Sequence, residues 1–471
     1  MRRNYRYGRR RKSRSGLWIF LLLLLAAGGA AGYLYLSPKF ERIPPRVSIE
    51  KSGYWRPGKV LRIRLTDNHA LGSYRVFLSD GKKRVKVASG SFDTPVKEKT
   101  LALSLPKNPG LDIGKGVWTL RVELTDRSLW NLGKGNQARA SARILVDTQA
   151  PRVTLIARSP SIVRGGSALV IFRATDPNLE QVYVQVGNRR FHVLPYRRKG
   201  YWATLLAWPF RMEKFQPTIM AVDKAGNRQK LLIPFEKNYR EYKVSRIGLS
   251  DRFLNGKIAE IALEDENASR IRGKLARFKA VNEGMRLKNE KLIHEKTAKA
   301  TPVDFGRWRL KAFYPLKSAK RVASFGDERH YYYHDKNRDV SGSWHMGYDL
   351  ASVRHAPIRS SNPATVVFAG YNGIYGNMPI LDHGFGLYTI YGHCSQILVT
   401  EGERVAAGQV IAKTGKTGLA LGDHLHFGML VQGVEVLPMD WMKQNWIRSH
   451  IDRVMERADR IIRRRSAEKG S

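Results

Sequence analysis

Cysteine is almost absent from this 471-residue chain: Cys394 stands alone. That excludes an internal disulfide, so stability has to come from apolar cores or from metal. Acidic side chains are also scarce, 40 against 83 Lys and Arg, which leaves a formal charge of +43. An excess of that size points to an anionic partner, whether nucleic acid, a membrane surface or an acidic polymer such as a cell wall. With 42% hydrophobic residues the chain is not a disordered one, and its length allows roughly two to four domains with cores of their own.

The first sixteen residues, MRRNYRYGRRRKSRSG, contain no acid at all, and residues 17–36 contain no charge. Twenty helical residues span about 30 Å, the hydrocarbon thickness of a bilayer. The basic flank belongs on the cytoplasmic side, which puts everything after Pro38 outside the membrane. A nucleic-acid role for the tract does not explain why it abuts such a run. The rival reading is a cleaved signal peptide, with residues 17–25 as its apolar region and AAGGAAG as its small-residue site. Because the apolar run continues through Tyr33 to Leu36, we read an uncleaved anchor.

From Pro45 to about Phe235 long helices are missing, and short alternating strands are broken by Gly, Pro, Asn and Asp. The segment repeats: PRVSIE at Pro45 returns as PRVTLI at Pro151, and LRIRLTDNHALGSYRVFL at Leu61 returns as LVIFRATDPNLEQVYVQV at Leu169. Each copy closes on an Asp-containing turn, LTDRSLWNLGKGN and AVDKAGNRQ. The spacing fits one β-sandwich per copy, and the pattern resembles tandem immunoglobulin-like domains acting as spacers. Between Lys237 and Leu310 the sequence turns charged, and Ile271, Leu275, Phe278, Val281 and Met285 predict an apolar stripe on a helix that pairs with another helix or caps the following domain. Strands return from Phe313 to Trp441. The tail from Lys443, with Ile451, Met455, Ala458, Ile461 and Ile462, predicts a basic amphipathic helix, exposed to solvent ahead of a membrane-surface or wall contact.

The chemistry-bearing residues lie in the strand-rich C-terminal part. In GDHLHFGML, period-two alternation puts His424, His426 and Gly428 on one face and Leu425, Phe427, Met429 and Val431 on the other. Upstream, HMGYD supplies His345 and Asp349, and YGHC supplies His393. Catalytic zinc commonly takes three protein ligands drawn from His, Asp and Glu and keeps a fourth position for water. On a straight strand His345 and Asp349 would be about 13 Å apart, so a kink is needed, and Gly347 permits it. Alternation along LYTIYGH places His393 with Leu387, Thr389 and Tyr391 on one face. Arg329 reads as a surface ion pair ahead of a contact to a substrate carboxylate, Tyr331 to Tyr333 as structural tyrosines or a surface that stacks on substrate, and His330, His334, His355 and His383 as structural or supporting. Cys394 reads as a packed thiol.

Together with SFGDER, LDHGFGLYTIYGH and VTEGERVAAGQVIAKTGKTG, these motifs make the chain from about Phe313 to Trp441 resemble the LytM/lysostaphin-type peptidoglycan zinc metallo-endopeptidases, which share the duplicated hybrid motif fold. The resemblance implies one Zn2+ on His345, Asp349 and His426, with His393 and His424 as the catalytic pair. It also implies a peptidoglycan peptide as substrate and a place outside the bacterial inner membrane. Where relatives often show Ser-Thr-Gly before His-x-His this chain has LALG at 419–422, and Ala364 stands where a glycine often precedes VVFAG.

Two alternatives are weighed. Catalytically silent LytM-like regulators lose ligands, whereas all five positions are filled here. A biotinyl- or lipoyl-like carrier, suggested by TEGERVAAGQVIAKTG, lacks its lysine hairpin and leaves the histidines unexplained. The expected architecture is mainly β: a basic tail 1–16, an anchor 17–37, immunoglobulin-like domains 38–147 and 148–236, a helical linker 237–310, a peptidase domain 311–442 and a basic helix 443–471. No nucleic-acid partner is expected, and a protein regulator is left unnamed.

Overall fold

The computed structural model describes residues 15–50, 53–56, 58–105, 113 and 115–468, so the basic tract before Ser15 lies outside the described residues. Two compact units are present, Met1–Gln149 with Lys224–Asn227, and Ala150–Asp223 with Arg228–Ser471.

In the first unit the helix Ser15–Leu36 has no charged residue, and Gly16–Leu36 is long and apolar enough to cross a membrane. A three-stranded and a five-stranded sheet follow. Val60–Thr66 shows how sequence builds them: Leu61, Ile63 and Leu65 are buried while Arg62 and Arg64 point outward, the alternation a strand imposes. They share a core with Trp55, Trp118 and Leu120, and each fully buried aliphatic side chain there contributes about 1.5–3 kcal/mol. The Asp-containing turn is held by the Asp126 carboxylate, which accepts from the backbone N–H groups of Asn136 (2.8 Å) and Ser128 (3.0 Å).

The second unit begins with two four-stranded sheets sharing one core. Its central strand Ser167–Thr175 is buried almost throughout, and the C-terminal helix Arg453–Ala467 lies against this sheet pair. Val454, Met455, Ala458 and Ile462 are buried, Ser159 Oγ donates to His450 O (2.8 Å), and Tyr196 Oη donates to Asp459 Oδ1 (2.8 Å). The helix is amphipathic as expected but is not a solvated tail: its apolar stripe has a protein surface to cover.

Beyond it lies an eight-stranded antiparallel sheet in the order Lys320–Ala323, Tyr348–Ala351, Leu425–Val431, Leu387–Gly392, Asn377–Asp382, Ala364–Tyr371 and Arg404–Val405, with Val434–Val436 pairing Leu425–Val431. Leu425, Phe427, Met429 and Val431 enter one core with Leu387 and Tyr391, as alternation requires. The opposite face carries Tyr388, Ile390 and Leu430 and is covered by Phe278, Val281, Met285 and Ile293. The segment read as a helical linker is therefore part of this body. It includes a strand, Val244–Gly248, that pairs in parallel with Asp327–Tyr332, and its helices end at Thr297. Of the predicted stripe, Ile271 precedes the helix Lys274–Lys279 and is only half-buried.

Candidate metal centre and catalytic groove

Three adjacent pieces of backbone position the donors. His345 ends the strand Asp339–His345, which belongs to a three-stranded sheet with Val244–Gly248, whereas Asp349 lies in Tyr348–Ala351 of the large sheet and pairs in register with His426. The chain changes sheets between these two candidate donors, which solves the distance problem of a straight strand. Gly347 is needed there for space rather than for a special dihedral angle: an added Cβ would lie 2.6 Å from His426 Nε2 and 2.8 Å from Phe427 O.

His345 Nδ1 donates to Ser324 O (2.8 Å), which leaves its Nε2 as a lone pair. That Nε2 faces Asp349 Oδ1 at 2.9 Å and His426 Nδ1 at 3.1 Å, and His426 Nδ1 is 2.9 Å from the same carboxylate oxygen. One shared proton satisfies one of these three contacts, whereas a divalent cation satisfies all of them. All three residues are buried. Burial disfavours the Asp349 carboxylate, but His345 and His426 outweigh it and hold its pKa well below the usual value, while burial pushes His426 down to about 4. The set is two imidazoles and one carboxylate, the donor chemistry of a catalytic zinc site.

His424 and His393 flank this cluster. His424 precedes the strand in a bridge to Gly415, donates from Nδ1 to Gly422 O (2.8 Å), and places Nε2 3.7 Å from Asp349 Oδ1. His393 donates from Nδ1 to Thr417 O (2.9 Å), and its ring centre is 4.8 Å from that of His424. Alternation does not bring it there. Its strand ends at Gly392, the face of Leu387 and Tyr391 enters the core with Leu425 and Phe427, and His393 has a left-handed φ of 65° and sets its ring centre 5.8 Å from that of His426. Burial, reinforced by His424 and His426, holds the His393 pKa well below 6.5, so the ring is neutral at physiological pH.

The five residues line one groove of about 470 Å³. His330, His355 and His383 bond elsewhere, to Asp339 (2.7 Å), Ser395 (2.8 Å) and Thr389 (2.9 Å), and His334 sits in a left-handed turn. Cys394 is buried and donates to Tyr391 O (3.1 Å), with its thiol pKa pushed up to about 12 by burial. Tyr331 is buried in the core, and Tyr333 donates to Asp251 (2.9 Å). Arg329 is not a surface pair: it is mostly buried, 3.3 Å from Asp327 Oδ2 and 3.7 Å from Asp349 Oδ2. Sequence reading also missed Tyr375, whose ring is 5.5 Å from that of His426, and Arg286, which reaches the groove from the helical segment. No local spacing marks either one.

Residues 343–438, which include all five groove residues, match the model of peptidase family M23. The C-terminal domain is an M23 metallo-endopeptidase domain. Over 132 residues the chain is 35% identical to the peptidoglycan DD-endopeptidase ShyA of Vibrio cholerae, covering 28% of this chain and 29% of that relative. Over 95 residues it is 37% identical to the DD-carboxypeptidase/endopeptidase Mpg of Neisseria meningitidis, covering 20% of this chain and 22% of that one. The chain thus spans less than a third of the length of these curated relatives. The solved catalytic domain of the antimicrobial peptidase lysostaphin from Staphylococcus simulans aligns with 27% of this chain and 94% of its own length, at 28% identity and a TM-score of 0.24. The helical segment and the sheet pairs lie outside the M23 match, although the helical segment shares a core with the M23 sheet.

Proposed function

We propose that this chain is a membrane-anchored zinc endopeptidase that hydrolyses peptide cross-links of bacterial peptidoglycan. The carrying observation is the convergence of His345, Asp349 and His426 within hydrogen-bond distance of one another, beside His393 and His424. His345 Nε2, His426 Nδ1 and Asp349 Oδ1 would hold the metal. When bound, zinc supplies Lewis acidity that eases loss of a proton from water and polarises a carbonyl. His393 and His424 both spend Nδ1–H on a backbone carbonyl and so keep Nε2 free as an acceptor. One takes the proton of the attacking water, and the other orients that water or, once protonated, steadies the negative charge on the carbonyl oxygen. The named activities of the relatives support a wall peptide as substrate.

In the same reading the helix Ser15–Leu36 is the anchor, and the paired sheets are immunoglobulin-like spacers that hold the M23 domain toward the wall. A start before Leu17 in the membrane-bound protein, read by N-terminal sequencing, agrees with the anchor; a start past Leu36 identifies a cleaved signal instead. The enzymatic claim is tested by metal analysis of the purified chain and by muropeptide mass spectrometry after wall digestion. Absence of stoichiometric zinc, or equal digestion by wild type and His424→Ala, sinks it.

A further inference from the structure

The chain leaves its apolar helix Ser15–Leu36 through a short strap before entering the first sheets, and one loop of those sheets is fastened to the strap. Leu129 N donates to Lys39 O at 2.7 Å, and Ser128 Oγ donates to Glu41 O at 2.6 Å. The Arg42 guanidinium lies over the Trp130 ring at 4.1 Å and over Tyr35, in the last turn of the helix, at 5.0 Å. Lys39 is three residues beyond Leu36, so the two Cα atoms are at most about 11 Å apart. The loop is thereby held at the end of the helix.

What the loop presents there is apolar, and it does so against backbone preference. Asn131 and Leu132 have left-handed φ of 56° and 59°, a conformation that residues other than glycine rarely adopt. Leu132 is 96% exposed, and Leu129 and Trp130 are exposed beside it. Tyr35 of the helix end is exposed as well, and so are the basic Lys39 and Arg42 of the strap. In water such a patch gains nothing from its exposure. Aliphatic tips and aromatic rings rimmed by cations settle at a bilayer interface, where the apolar parts leave water and the cations meet lipid phosphate.

We infer that this loop is seated in the membrane surface: Leu129, Trp130 and Leu132 enter the interfacial layer on the outer face of the bilayer, and Lys39 and Arg42 face its lipid headgroups. The reach permits it. The 21 residues of Gly16–Leu36 span about 31 Å, which matches the hydrocarbon core and puts Leu36 at its boundary, and the interfacial layer beyond is roughly 5–8 Å deep. The inference rests on reading that helix as the anchor and is independent of the peptidase activity. A second attachment beside the helix end would fix the tilt of the first sheets against the membrane.

The test uses the full chain reconstituted in vesicles of phosphatidylethanolamine and phosphatidylglycerol, with a fluorophore on one introduced cysteine; Cys394 is buried and stays unlabelled. Leu132→Cys probes the loop, and Leu25→Cys reports the middle of the helix. Asp80→Cys is the control, because Leu71–Ser79 runs roughly 30 Å from the end paired with Asp126 to the turn that holds Asp80. Lipid spin-labelled near the headgroup should quench the Leu132 probe at least about twofold more than the Asp80 probe, and lipid labelled deep in the acyl chain should quench the Leu25 probe. Adding Leu129→Ser and Trp130→Ser should weaken the Leu132 quenching with the melting temperature nearly unchanged, since both side chains are exposed. Equal quenching of the Leu132 and Asp80 probes, in vesicles where the Leu25 probe is quenched, overturns the inference and leaves the anchor standing. A Leu25 probe untouched by deep-labelled lipid refutes the anchor, and the seat of the loop with it.

Discussion

Gly347 faces the ring of His426 so closely that a single added carbon would sit 2.6 Å from both Cε1 and Nε2. Neither the buried imidazole nor the Phe427 carbonyl behind it can retreat without breaking the strand pairing of Asp349 with His426. Gly347→Ala should therefore push His426 out of line with His345 and Asp349. The expected outcome is at least about a tenfold loss of zinc affinity and of wall digestion with the melting temperature nearly unchanged, read by metal analysis and differential scanning calorimetry. Full zinc occupancy in the variant would show that the site tolerates the displacement.

The two groups of histidines should separate experimentally. His345→Ala and His426→Ala remove a donor each and are expected to abolish zinc retention. His393→Ala and His424→Ala should keep stoichiometric zinc and lose about 10²–10⁴-fold in turnover, the usual worth of a positioned acid or base. Loss of metal in the second pair would reassign them as ligands.

How much of this was readable in advance depends on whether a feature is periodic. Alternation along residues 425–431 correctly placed Leu425, Phe427, Met429 and Val431 in the core. The same rule failed one residue past the strand Leu387–Gly392, because a left-handed φ at His393 breaks the period that alternation relies on. The stripe Phe278, Val281 and Met285 was visible, but what it covers was not, since a moment along one helix carries no information about its partner.

That partner yields a further prediction. Phe278 is fully buried against Tyr331, with ring centres 5.1 Å apart, in the core shared by the helical segment and the M23 sheet. Phe278→Ala should cost about 3–5 kcal/mol of stability in the unit that holds the M23 domain. Denaturant unfolding followed together with digestion activity checks it: a helical segment that merely linked domains would unfold separately and leave activity at the same denaturant concentration.

His383 supplies a pH dependence away from the metal centre. It is buried, bonded to Thr389, and burial lowers its pKa from 6.5 to about 4. The unfolded chain therefore binds a proton between those values that the folded one refuses, so its stabilising contribution is complete above pH 6.5 and is lost as pH falls toward 4. The full span is about 3 kcal/mol at 1.36 kcal/mol per pKa unit. In His383→Gln the fall in stability over that pH window should be shallower by this amount, measured by urea unfolding at a series of pH values. Parallel curves would place the proton uptake elsewhere.

By itself the sequence determined the donor types, the order of the motifs and the alternation that gives each strand a buried face, because these follow from local geometry. Only the tertiary structure decided that the chain changes sheets between His345 and Asp349, that Gly347 yields its space to His426, and that the half-buried Arg329 lies between Asp327 and Asp349. It also decided where the C-terminal helix and the helical segment dock, and hence that Arg286 lines the groove of the five residues. These are contacts between residues far apart in the chain, set by which apolar surfaces bury one another, and such contacts leave no period in the sequence to read.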